Sequence, residues 1–157
     1  MPVDIISVKM DVANPVIHEQ LTAILASLSE FYVRKSSTMG VADLIVVEVN
    51  EDLKLGAAAK DDLTRLNDLY PPDVAAEVIL TSPRSDPAVL LQTLRLGVKE
   101  FLPQPIDEAE TKAAFVRSKQ RRQEALAQNR KVGEVIDILA AKGGAGATTI
   151  SVNLAAC

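Results

Sequence analysis

The densest set of chemistry-bearing residues in this sequence is Lys142-Gly143-Gly144-Ala145-Gly146-Ala147-Thr148-Thr149. Glycines at that spacing let backbone N–H groups converge on phosphate oxygens, and a helix starting just after them adds positive potential. The flanks supply this context, since Val135 to Leu139 is an apolar strand-like run and Ile150 to Ala156 is helix-competent. Elsewhere the material for catalysis is sparse. One histidine, His18, and one cysteine, Cys157, leave zinc clusters, disulfide frameworks and nucleophile–base pairs without partners. His18 reads as an ordinary helix residue beside Ile17, and Cys157 has no basic neighbour to activate it. No catalytic residue and no metal ligand is assigned. Aromatic residues are 3% of the chain, which removes base-stacking platforms and argues against specific nucleic-acid binding.

The elements that must position such a loop follow from apolar periodicity. With 48% hydrophobic and 24% charged residues in 157, the chain can bury one ordinary core and is too short for two complete α/β domains. Ile5 to Val8 is a short strand, and Asn14-Pro15 caps a helix carrying Ile17, Leu21, Ile24, Leu25 and Leu28 on one face. Tyr32-Val33 makes a second strand, and Leu44 to Val49, broken only by Glu48, suits a strand buried on both faces. Ala57 to Leu69 is helix-competent until Tyr70-Pro71-Pro72-Asp73 stops it. Val78 to Ser82 is a fourth strand; Asp86-Pro87 repeats the cap, and Leu90, Leu91 and Leu94 are expected to face the core up to Gly97. Phe101-Leu102 gives a fifth strand, and Asp107 with Glu110 opens a helix over 108–128. Strand and helix alternating five times predict a doubly wound parallel sheet.

Residues 1–125 form the expected first domain, 126–133 a basic linker, and 134–157 an additional strand with the start of a second domain, expected to be cut off at Cys157. Residues 1–111 hold 9 Lys or Arg against 18 Asp or Glu, whereas 112–157 hold 8 against 3. Lys112, Arg117, Lys119, Arg121, Arg122, Arg130 and Lys131 therefore predict a basic helix that leans on the acidic domain or a partner; an anionic-surface stripe is the sharper alternative. No export signal or membrane span is expected, and cysteine usage points to a reducing, cytoplasmic compartment.

Asp-Leu-Ile-Val-Val-Glu (Asp43 to Glu48), Val-Ile-Leu-Thr-Ser (Val78 to Ser82) and Gly-Val-Lys-Glu-Phe-Leu-Pro-Gln-Pro-Ile-Asp (Gly97 to Asp107) resemble the third, fourth and fifth strands of bacterial response-regulator receiver domains. The resemblance covers roughly residues 3 to 125 and implies a flavodoxin-like α/β fold with a five-stranded parallel sheet. It also implies where a phosphotransfer centre would lie, and there the sequence departs. Glu48 stands for the acceptor aspartate, and Lys9 and Met10 stand for the acidic pair that holds Mg²⁺, with Asp11 its remnant if the register slips by one. Gln104 replaces the lysine before Pro105, where the family has a cis peptide, and Thr81 alone keeps the family residue. A hard cation needs clustered carboxylates, so phosphotransfer and tight Mg²⁺ binding are not expected. Glu48 either imitates the acylated state and holds Thr81 in one orientation, or is neutralised by Lys9 in a structural ion pair. By the same resemblance Arg95, Lys99 and Glu100 are expected dimer contacts.

The order Lys-Gly-Gly-x-Gly-x-Thr-Thr, with Asn153-Leu154 following, resembles the deviant Walker A motif of the MinD/ParA ATPases. That resemblance implies a nucleotide loop of Lys142, Gly143, Gly144, Gly146, Ala147, Thr148 and Thr149, with Lys142 the signature lysine and Thr148 a Mg²⁺ ligand; Ala147 replaces a phosphate-contacting lysine. No cofactor is expected for these 157 residues, ATP and Mg²⁺ belonging to a longer protein with the rest of that domain. A degenerate receiver joined to this loop resembles the TadZ/CpaE family of Flp (Tad) pilus assembly proteins. Membership implies a non-enzymatic docking and targeting part of a dimeric factor at the cell pole or the inner face of the membrane, with pilus assembly and secretion proteins as partners. The alternative is a conventional receiver regulated by phosphorylation.

Overall fold

The computed structural model describes residues 5–35, 40–58, 61–71 and 75–129. The glycine-rich loop Lys142–Thr149, its flanking strand and helix, and Cys157 lie outside the described residues. The chain divides into two units, Met1–Glu124 and Ala125–Cys157.

The elements run β1 (Ile6–Asp11), α1 (Pro15–Ala26), β2 (Phe31–Val33), β3 (Ala42–Glu48), a 3-10 turn (Leu63–Arg65) leading into α2 (Leu66–Leu69), β4 (Ala75–Ser82), α3 (Pro87–Arg95), β5 (Glu100–Pro103) and α4 (Glu108–Asn129). The five strands pair in parallel in the order β2-β1-β3-β4-β5, a flavodoxin-like α/β sheet. β3 lies at its centre, and its inner run Leu44 to Val47 is apolar because both of its faces are covered there, with Asp43 and Glu48 at its two ends. Leu44 and Val46 pack with Ile17, Leu21 and Leu25 of α1 and Ala114 and Phe115 of α4. Ile45, Val47 and Val49 pack on the other side with Leu55, Leu63 and Leu66.

Local chemistry starts the helices where the sequence predicts. The Asn14 side chain accepts the Val16 N–H at 3.0 Å ahead of Pro15, and Asp86 accepts the Val89 N–H at 3.2 Å ahead of Pro87. Asp107 accepts the Glu110 N–H at 2.7 Å at the start of α4.

Three expectations need correction. Between β2 and β3 the five-fold alternation shows no helix among the described residues 34, 35, 40 and 41. Ala57 does not begin a helix, because its N–H goes to Asp11 while Leu55 and Lys54 bridge back to residues 61 and 62; helical structure starts only at Leu63. In α3 the buried positions are Val89 and Thr93, whereas Leu91 and Leu94 are 56% and 65% exposed. The helix phase is set by the Val89–Thr93 row against the sheet, which turns two of the three expected core leucines outward.

Candidate functional site

Parallel strands bring their C-terminal ends to one edge of the sheet, and that edge gathers three of the expected side chains. Glu48 closes β3 in register with Thr81 of β4, and Thr81 is in register with Leu102 of β5, two residues before Gln104. Glu48 is 6% exposed and Thr81 is fully buried. A buried carboxylate must find donors, and Glu48 finds three. Its Oε2 accepts the backbone N–H groups of Ala13 at 2.7 Å and Asn14 at 2.8 Å, and its Oε1 accepts from Gln104 Nε2 at 3.2 Å. The same Gln104 amide lies 3.4 Å from Thr81 Oγ1. The carboxylate thus sits at the N-terminus of α1, where the helix favours negative charge. The Gln104–Pro105 peptide is cis, as the family resemblance implies.

Lys9 takes no part, and the expected Lys9–Glu48 ion pair does not form. Val8 and Met10 of β1 belong to the side packed on α1 and α4, so strand alternation turns Lys9 to the opposite face of the sheet from Glu48. The side-chain hydrogen bonds of Glu48 run to the start of α1 and to Gln104, whose amide also reaches Thr81.

Asp11 is engaged elsewhere. It closes β1, accepts the Ala57 N–H at 2.8 Å on Oδ1, and accepts the Tyr70 hydroxyl on Oδ2. Gly56 backs this contact at φ +63°, and a Cβ there would stand 2.6 Å from the Asp11 carboxylate. Burial, the bond to Asp11 and the charges of Asp11 and Asp61 hold the Tyr70 hydroxyl above its ordinary pKa. These residues do not fit the Mg²⁺ a receiver holds: Lys9 and Met10 offer no carboxylate, and those of Asp11 and Glu48 each serve backbone donors. Among the described residues no cluster of three or more His, Cys, Asp or Glu side chains is placed to hold a metal ion. Sequence reasoning missed Ala13, Asn14, Gly56 and Tyr70 as participants, because most of what they contribute is backbone.

The basic residues of α4 meet acids of the same unit. Arg121 pairs with Glu77 at 2.5 Å and Glu100 at 2.7 Å, Arg117 with Glu100 at 2.8 Å, Arg122 with Asp43 at 2.5 Å, and Lys119 with Glu30. These acids lie at or near the starts of β2, β3, β4 and β5, so the described part of the helix leans on the acidic sheet edge; Arg130 and Lys131 lie outside the described residues. Glu100 is 6% exposed under both arginines, which corrects its expected role as a dimer contact. Its burial opposes ionisation, but the bonds from Arg117 and Arg121 outweigh this and hold its pKa below the ordinary value. Arg95 and Lys99 remain exposed.

No family model and no curated protein matches the sequence. Solved structures do match. DrrB, a response regulator of Thermotoga maritima, superposes with a TM-score of 0.55 at 15% identity over 75% of this chain and 54% of that one. The chain therefore spans about half the length of that regulator. A pilus assembly-related protein from Burkholderia pseudomallei gives a TM-score of 0.55 at 16% identity, covering 77% of this chain and 94% of that one. A CpaE pilus assembly protein of Burkholderia thailandensis gives 0.53 at 16% identity, with 74% and 99% covered. The unit has the receiver fold. Within that fold Glu48 ends β3 with its carboxylate already bound at the start of α1, and Gln104 presents it a neutral amide.

Proposed function

We propose that this receiver-fold unit is a non-catalytic protein-docking and targeting module of a Flp (Tad) pilus assembly protein, cytoplasmic and coupled to a MinD/ParA-like ATPase part. The observation that carries the reading is Glu48. A phosphoacceptor must present a free carboxylate oxygen beside a metal and a cation, and Glu48 instead has both oxygens committed to N–H donors of Ala13, Asn14 and Gln104. A receiver fold without that chemistry keeps only its surfaces. Two of the solved structures it superposes on are described as pilus assembly proteins, which supports the direction of the reading. The Lys142–Thr149 loop supplies its other half: a homodimer whose ATPase part binds ATP and Mg²⁺ through Lys142 and Thr148, steered to pilus secretion proteins at the pole or inner membrane face.

The test is genetic. Deleting residues 1–125 from the full-length gene should abolish Flp pilus assembly and disperse the protein in the cell, while abolishing acetyl phosphate synthesis leaves both intact. Normal pili without residues 1–125, or pili that depend on phosphoryl donors, would overturn the proposal.

A further inference from the structure

The groove between α2 and the α3–β5 turn follows from a short element. α2 ends after four residues at Tyr70-Pro71, since proline cannot continue a helix, and Glu77 and Val78 of β4 and Leu96-Gly97 after α3 are left partly open. The result is a cavity of about 300 Å³ walled by Leu66, Tyr70, Pro71, Val78, Leu96 and Val98. Gly97 at φ +80° leaves one wall low, with nothing within 4 Å of where its Cβ would stand. The volume is at the lower end for ligand sites and has room for one large apolar side chain.

The polar lining identifies the neighbour of that side chain. Glu77 also borders the groove, but its carboxylate serves Arg121 and Ser118. Lys99 and Asn67 are exposed, and Lys99 has no ion pair among the described residues. In a stretch with 18 acids against 9 Lys or Arg, a lysine left unpaired at the mouth of an apolar groove is complementary to a carboxylate from outside.

We propose that this groove seats one apolar side chain from an acidic segment of a partner protein, with Lys99 facing a carboxylate beside it and Asn67 bonding to the segment's backbone. The proposal rests on the docking reading above and names its surface and partner chemistry.

The probe is the capped tripeptide glutamyl-leucyl-glutamate, titrated into the full chain and followed by backbone amide shifts. Shifts are expected at Leu66, Asn67 and Leu96 to Lys99, saturating with a Kd on the order of a millimolar. Raising salt from about 0.05 M to about 0.5 M should weaken binding several-fold by screening. Lys99→Glu should weaken it about tenfold and Asn67→Trp should block it; both positions are exposed, so the remaining spectrum reports an intact fold. Flat shifts, shifts that both variants leave unchanged, or an equal response to the lysyl-leucyl-lysine peptide would overturn the proposal. So would concentration-dependent shifts of the same amides without peptide, which would give the groove to a second copy. Phosphorylation of the domain would sink the docking reading and leave this titration standing, whereas a flat titration on an unphosphorylated domain removes the groove alone.

Discussion

Glu48 buries a carboxylate against N–H donors and forms no ion pair among the described residues, and its worth follows from what its removal would strand. Glu48→Ala leaves the Ala13 and Asn14 N–H groups and the Gln104 amide without their acceptor, which should cost about 1–3 kcal/mol in urea unfolding. A cost under about 0.5 kcal/mol would mean that water replaces the carboxylate and that it braces nothing. Tyr70 makes a separate prediction with a definite sign. Its pKa is raised above the ordinary 10.0 by burial and by Asp11, so the folded chain holds the phenolic proton more tightly than the unfolded chain. Stability from this pair is complete below that ordinary value and falls as pH climbs above it. Tyr70→Phe should flatten the decline of the urea midpoint between about pH 9 and about pH 11; an unchanged slope would place the titrating group elsewhere. At this scale the sequence read well where position decides and poorly where backbone decides. Glu48, Thr81 and Gln104 were legible because three parallel strands end side by side. Their donors in the β1–α1 loop have no side-chain signature, and the opposite faces of Lys9 and Glu48 depend on β1 running unbroken to Asp11.

Helix α3 shows why apolar periodicity gives an element before it gives the element's phase. Leu90, Leu91 and Leu94 outnumber the other apolar residues, yet Val89 and Thr93 take the inner row and Thr93 returns its hydroxyl to the Val89 carbonyl at 2.8 Å. A threonine that satisfies itself within the helix can be buried, which a hydrophobicity count does not register. Leu91→Gln and Leu94→Gln should therefore change stability by less than about 0.5 kcal/mol, while Val89→Ala costs about 1–3 kcal/mol by thermal or urea unfolding. The reverse ranking would restore the leucines to the core. α2 makes the complementary point: Ala57 and Ala58 are good helix formers, but the bond from Ala57 to Asp11 and the bridge of Lys54 to Asp62 fix a loop there first. Capped helices α1, α3 and α4 were legible because the cap is a local signal.

Over the whole first unit, the charge imbalance of the sequence becomes a belt along the lower edge of the sheet. Glu30, Asp43, Glu77 and Glu100 receive Lys119, Arg122, Arg121 and Arg117, so α4 is fastened both by Phe115 in the core and by ion pairs from residues 117–122. Glu100 has a folded pKa below its ordinary 4.5, so its contribution is present above that pH and is lost as pH falls beneath it. The double variant Arg117→Gln/Arg121→Gln should lose stability at neutral pH and lose less than the parent on acidification; equal acid sensitivity would show that other carboxylates govern it. Composition foretold that the basic helix leans on the acidic domain, because no strong apolar face opposes its charges. It could not foretell which acid meets which base, since that depends on the order in which the strands are laid side by side.

The central claim is that a receiver fold is kept here without receiver chemistry, and intact-mass spectrometry after incubation with acetyl phosphate and Mg²⁺ tests it most directly. The unmodified mass is predicted, with Glu48 and Asp11 held by their present donors. A stoichiometric phosphoryl increment on residues 1–125 would contradict the account and restore the unit to phosphorylation-regulated receivers.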